Sequence, residues 1–137
     1  MNNTRFATAM HILSLLSKNE GEWLSSEWIA GSINVNPVMV RRELGVLQEN
    51  GWVVSRKGKE GGSRLKMPSV EIRLGDVYES VRNSEILGKR NTKTNDKCPV
   101  GKVINSCLDS LYEDTDRAVL TSLNKQTLQN FVDRLNV

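Results

Sequence analysis

Arg41 and Arg42 stand side by side in a stretch that reads as a short helix, and Arg56, Lys57, Lys59 and Arg64 gather in the glycine-rich segment after it. Groups of this kind bind anions rather than trade protons. A guanidinium can clasp the O6 and N7 of a guanine together, whereas lysines more often meet phosphates and carry no sequence information. Residues 41–66 hold seven bases and three acids, while residues 71–137 hold ten of each. The positive excess is therefore local, as expected where a duplex would lie. Catalysis finds little footing. The chain has one histidine, His11, no close metal-ligand cluster, no GxxxxGK motif and no nucleophile with an evident base. The Gly61-Gly62 pair fits a hairpin turn better than a phosphate loop, and His11 reads as a packing or surface residue.

The elements that must position these cations lie between Leu24 and Met67. Ser25 is a good N-cap for a first helix, with Glu27 in its first turn and Ile29 and Ile33 sharing a buried face. Asn34 to Asn36 make a turn. Asn36 then caps a second helix, Pro37 takes its first position, and Gly51 suits the left-handed position after its end. On this helix Val40, Leu44 and Leu47 face the core, while Val38, Arg42, Gly45 and Glu49 lie opposite, flanked by Met39 and Arg41. A glycine inside a helix costs about 1 kcal/mol relative to alanine. Gly45 on the outer face is either merely tolerated or useful where something as large as a DNA backbone comes close. Residues 52–56 read as a strand, 57–62 as a turn and 63–67 as the return strand, with Leu65 and Met67 inward and Arg64 and Lys66 outward. Helix, turn, helix and hairpin together outline a winged helix-turn-helix.

Around this unit the pattern is helical. Residues 5–18 read as a helix with Phe6, Met10, Leu13 and Leu16 on the core face. Leu15 falls outside that stripe, which suggests a second cover, such as a partner chain. After Pro68 the chain is expected to run extended to Leu74, then to form a short helix over 75–81. Asn83 to Lys97 is polar, with only Ile86 and Leu87 to anchor it, and reads as a mobile loop or linker. Residues 99–123 fit one long helix of about 37 Å. Ile104, Cys107, Leu108, Leu111, Ala118 and Val119 form its apolar stripe, and pairing with a second copy explains it economically. Leu128, Phe131, Val132 and Leu135 give a last helix that packs back. The expected fold is thus mainly α with a small β-hairpin wing. It comprises a winged helix-turn-helix over 1–82, a linker over 83–98, and dimerisation helices over 99–137 that pack back on the first helix. No signal peptide and no membrane-spanning run are visible, and two cysteines without a secretory signal suggest the cytoplasm.

Several short motifs carry a resemblance. They are Asn36-Pro37 followed by Val40-Arg41-Arg42, the wing Lys59-Glu60-Gly61-Gly62, the run LGDVYESV from Leu74 to Val81, and Cys98-Pro99-Val100-Gly101-Lys102. In this order and spacing the chain resembles, over essentially its full length, the bacterial Rrf-two (Rrf2) regulators typified by IscR, NsrR and CymR. Within them it looks most like a YwnA-like subgroup. The resemblance implies a homodimeric, cytoplasmic, DNA-binding transcription factor, usually a repressor acting on a palindromic operator. It puts Asn36, Val38, Met39, Arg41 and Arg42 in a major groove and gives Arg56, Lys57, Lys59 and Arg64 to the wing and its phosphates. Arg42 is the best base-reading candidate. Glu60 departs from the polarity expected at a wing tip.

Cluster-bearing members place three close cysteines before the long helix. Here Cys98 is followed only by Cys107. Cluster ligation normally needs four protein ligands, so no iron–sulfur cluster and no other cofactor is expected. Cys98, just before a helix, is either a redox-sensitive thiol or a small residue fixing the junction, while Cys107 on the apolar stripe reads as core. An effector of unidentified nature is expected to act through the loop and the long helix. The competing reading is a winged-helix module that binds protein or RNA, to which Glu49 and Glu60 give some weight.

Overall fold

The computed structural model describes residues 4–82 and 85–137. The order is α1 (Arg5–Lys18), α2 (Ser26–Ile33), α3 (Pro37–Glu49), β1 (Val53–Arg56), β2 (Gly62–Leu65), a 3₁₀ turn (Ser69–Glu71), α4 (Leu74–Val81), α5 (Pro99–Asn124) and α6 (Leu128–Leu135). The architecture is mostly helical with one antiparallel two-stranded hairpin.

The core forms around α1, which contacts α2, α3, α4, α6 and β2. Ala9, Ile12 and Leu13 have no exposed surface and Leu16 almost none. Leu15, outside the expected stripe, is half-buried against the same core. A second cover for it thus comes partly from within the chain, since α6 packs along α1. Helix α6 starts at a capping box in which Thr127 Oγ1 accepts from Asn130 N–H and Asn130 Oδ1 accepts from Thr127 N–H. Two backbone bonds fix its entry, Leu74 N–H to Gln126 O at 3.0 Å and Leu128 N–H to Ile72 O at 2.8 Å. Leu128 and Val132 are buried, whereas Leu135 remains exposed.

The helix-turn-helix follows the local signals. Ser25 Oγ caps α2 through Trp28 N–H. Asn34 ends it in the left-handed conformation at φ 65°. Asn36 Oδ1 caps α3 through Val38 N–H, with Pro37 in the first turn and Gly51 at φ +81° beyond its end. In the hairpin Val53 faces Leu65, Val54 faces Arg64, Ser55 faces Ser63 and Arg56 faces Gly62. Leu24 adds a short third rung: its N–H donates to Ser63 O at 3.0 Å and its carbonyl accepts from Ser63 N–H at 2.8 Å. Gly62 makes this approach possible. It sits at φ +148°, and a Cβ there would lie 2.6 Å from Leu24 O. That rung draws the strand to start at Gly62 rather than at the expected Ser63.

Two expectations are corrected and a third gains detail. The segment after Pro68 is not extended; it coils into the 3₁₀ turn, and Ile72 is fully buried behind it. The expected linker begins at Asn83, which lies outside the described residues, but residues 85–97 run as a strap along α5. Ile86 and Leu87 are exposed and polar contacts hold the strap instead. Ile86 N–H donates to Asp116, Thr94 Oγ1 to Gly101 O, and Asn105 Nδ2 to Asn91 O. Arg90 pairs with Asp109 at 2.8 Å and stacks on Tyr112. Third, Cys107 is not core. It is exposed on α5, where Tyr112 is the one buried residue.

The core also holds a charge that periodicity does not reveal. Glu43 is 1% exposed on α3. Its carboxylate accepts from Arg5 Nε at 3.0 and 3.3 Å, and Arg42 Nε lies 3.5 Å from it. Removing one partner of a buried pair leaves an uncompensated charge at a cost of about 3–5 kcal/mol. Because the Arg5 side chain keeps 31% exposure, we expect Arg5→Ala to lower unfolding free energy in urea by about 2–3 kcal/mol. Replacing the pair together, Arg5→Met with Glu43→Leu, should recover most of that loss.

Candidate nucleic-acid interface

Helix α3 is buried on one side and open on the other because its apolar residues recur at helical spacing. Val40, Leu44 and Leu47 lie in the core, which turns Val38, Arg41, Arg42, Gly45 and Glu49 outward, all of them exposed. Val38 is 63% exposed at the start of the helix, an unusual place for a large aliphatic side chain. Met39 beside it is half-buried. Arg41 reaches Glu27 on α2 at 3.4 Å, both side chains being largely in solvent. Such exposed pairs contribute about 0–1 kcal/mol, so a phosphate or base can displace Glu27. Arg42 is anchored at Nε by the buried Glu43 while its side chain stays 63% exposed. Asn36, also a sequence candidate, has its Oδ1 committed to the cap of α3.

Between α3 and the wing lies an open cleft of about 550 Å³. The start of α2 closes one end with Ser25 and Ser26, Arg41, Gly45 and Gln48 form the α3 side, and Ser55 to Lys59 form the wing side. Gly45 has nothing within 4 Å of where a Cβ would be. No neighbour within the chain demands a glycine there, so the space it leaves is free for something approaching from outside.

The four wing cations separate into two pairs. Lys57 and Lys59 are exposed. Arg56 and Arg64 both lie over the ring of Trp23, with Cζ 4.4 and 4.3 Å from its centre. Arg56 also donates from Nε and Nη2 to the carbonyl of Glu60 at 3.0 and 2.7 Å. Sequence reasoning did not find Trp23. Its partners stand 33 and 41 positions away, and no local pattern signals such a contact. Trp28, also unremarked in the sequence, is 52% exposed on α2.

The remaining chemistry-bearing residues do not converge on this face. Cys98 is the exposed residue before α5, and its side chain makes no capping bond. His11 Nε2 lies 3.0 Å from Ser32 Oγ. Among the described residues, no three of His, Cys, Asp and Glu come together in a way that could hold a metal ion. No helix among them is long and apolar enough to cross a membrane.

Comparison with known proteins follows this geometry. Residues 2–134 match the Rrf2 family, described as “Iron-dependent Transcriptional regulator”. The chain is 42% identical over 135 residues to the HTH-type transcriptional regulator YwnA of Bacillus subtilis (strain 168), covering 98% of this chain and 99% of that one. A solved transcriptional regulator from Lactobacillus plantarum superposes with a TM-score of 0.82 at 26% identity, covering 97% of this chain and 90% of that one. Both of these carry “putative” in their names. CymR of B. subtilis, named as its global cysteine regulator, shares the fold with a TM-score of 0.70 at 20% identity, over 98% and 97% of the two chains.

The iron in the family description does not fit this donor set. Two exposed thiols nine residues apart on and before one helix fall short of the four ligands a cluster normally takes. Incubation of the reduced chain with ferrous iron and sulfide, followed by desalting, should leave no bound iron and no cluster absorption. Iron retained in fixed ratio to protein would overturn that assignment.

Proposed function

We propose, from the premise that the chain belongs to the Rrf2 family of transcriptional regulators, that it acts as a homodimer on a palindromic operator and represses from it. Helix α3 enters a major groove and the wing lies over the adjacent minor groove and its phosphates. The observation that carries this reading is the open face of α3, with Arg41, Arg42 and Val38 exposed beside a cleft rimmed by Lys57 and Lys59. Arg42 is assigned to a guanine, because its Nη atoms remain available while Nε is anchored. Val38 suits a thymine methyl. Arg41 exchanges Glu27 for DNA, and Asn36 and Met39 border the same contact. From the wing Lys57 and Lys59 reach the phosphates while Arg56 and Arg64 stay with Trp23 behind them, and Gly45 lets the backbone approach.

The dimer is supported by α5. Val100, Val103, Cys107, Leu111 and Ala118 are all exposed, and they fall within about 80° of one another at 100° per residue. A second apolar surface, a groove of about 550 Å³ between α1 and α6, includes Phe6, Met10, Leu15 and Phe131. Contiguous apolar surface of this kind marks an interaction site, and a second copy covers both. The signal is assigned to the strap and the start of α5, where the Cys98 thiol is exposed, so the response is to a thiol oxidant or a small molecule. The setting is the cytoplasm.

Duplex affinity, measured by anisotropy on a selected operator, should fall steeply with salt, with a logarithmic slope of about −0.9 for each phosphate neutralised. Arg42→Ala should lower discrimination at one base pair by about 1–3 kcal/mol. Preference for single-stranded RNA over the duplex in competition would instead support an RNA-binding module. Leu111→Asp should shift sedimentation to the monomer and weaken operator binding at least tenfold. A monomeric wild-type chain would remove the dimer from the proposal.

A further inference from the structure

The wing presents four cations, and its geometry gives them two different tasks. Arg56 is committed within the chain. Two of its donors converge on the Glu60 carbonyl and its Cζ lies over the Trp23 ring. Arg64 lies over the same ring. Lys57 and Lys59 are exposed, and among the described residues neither makes an ion pair or a side-chain hydrogen bond.

We infer that Arg56 is a positioning residue that acts through Trp23 and Glu60 to hold the wing tip, and that Lys57 and Lys59 are the wing cations that meet phosphate. The DNA half of this statement rests on the function proposed above; the bracing half does not.

Three features support it. The bonds from Arg56 to Glu60 O close the turn from residue 56 to residue 60, so the two lysines sit on a loop whose ends are tied together. The turn is already tight, since a Cβ on Gly61 would lie 2.4 Å from Arg56 O. Trp23 immediately precedes Leu24, whose backbone pairs with Ser63 of the wing. The stack and the backbone rung therefore attach the hairpin to the same turn between α1 and α2. Lysine cannot replace Arg56 here. An ammonium has no planar face to lay on indole and no rigid fork to direct two N–H groups at one carbonyl.

The test uses the full chain as wild type, Arg56→Ala, Arg56→Lys, Trp23→Ala, Trp23→Phe and Lys57→Ala. Amide hydrogen exchange is first measured without DNA. Exchange of the Gly61 amide, which donates to Gly58 O at 3.0 Å, should quicken about tenfold in Arg56→Ala, Arg56→Lys and Trp23→Ala, stay near wild type in Lys57→Ala, and be intermediate in Trp23→Phe, which keeps a ring face. Duplex binding is then measured across salt. Arg56→Lys and Arg56→Ala should weaken binding equally at every salt with the wild-type slope, whereas Lys57→Ala should make the slope shallower by about 0.9. If Arg56→Lys exchanges and binds as wild type, or if Arg56→Ala loses the same slope as Lys57→Ala, Arg56 is a phosphate contact and the inference fails. Absence of salt-dependent binding by the wild type would remove the function proposed above, while the exchange measurement would still decide the brace.

Discussion

Burial of α1 is the constraint on which the structure depends. Ala9, Ile12, Leu13 and Leu16 are sealed by elements from both ends of the chain, and α2, α3, α4, α6 and the wing all rest on this one helix. Apolar burial is strong but non-directional. On α3 the apolar arc of Val40, Leu44 and Leu47 turns one side to the core. The Arg5–Glu43 pair adds a directional contact beside that arc, and Arg41, Arg42 and Val38 face outward together.

The features legible in the sequence are those whose cause is local. Ser25, Asn36 with Pro37, and Gly51 mark helix ends through groups a few residues away, and the structure uses each of them in that way. The periodicity of α3 sorted its inner from its outer face for the same reason. What escaped depends on distance along the chain. Glu43 carries no local signal of burial, because its partner stands 38 positions earlier. The Trp23 stack and the Leu24 rung join the wing to residues before α2, beyond any local pattern. The contacts of the strap were not legible because its composition is that of a linker. Its attachments to α5 are polar, and apolar periodicity is blind to them. The stripe on α5 was legible as apolar, but a stripe alone does not say whether its cover lies within the chain. The placement of Cys107 turns on that point.

Charge is arranged on this molecule by how firmly it is held rather than by amount. The chain carries only +3. Arg41 is lightly held by an exposed acid and Arg42 by one atom, so each can turn to a new partner at little cost. Arg56 is held by a carbonyl and an indole face, and releasing it would loosen the wing. On the wing, Arg56 has two donors and a ring contact within the chain, whereas Lys57 and Lys59 stand in water, where their field is screened over about 8–10 Å at ordinary salt. Glu27 adds an exposed acid 3.4 Å from Arg41.

The same logic extends to the segment before α5. Residues 85–97 follow α5 through polar contacts. Arg90 does much of that work, pairing with Asp109 at 2.8 Å and with Glu85 at 3.6 Å while lying 4.5 Å over Tyr112. Arg82 joins from the end of α4 to Asp116 at 3.2 Å. These are partly solvated ion pairs and a stack, each individually weak, and together they define a loop position that needs no iron.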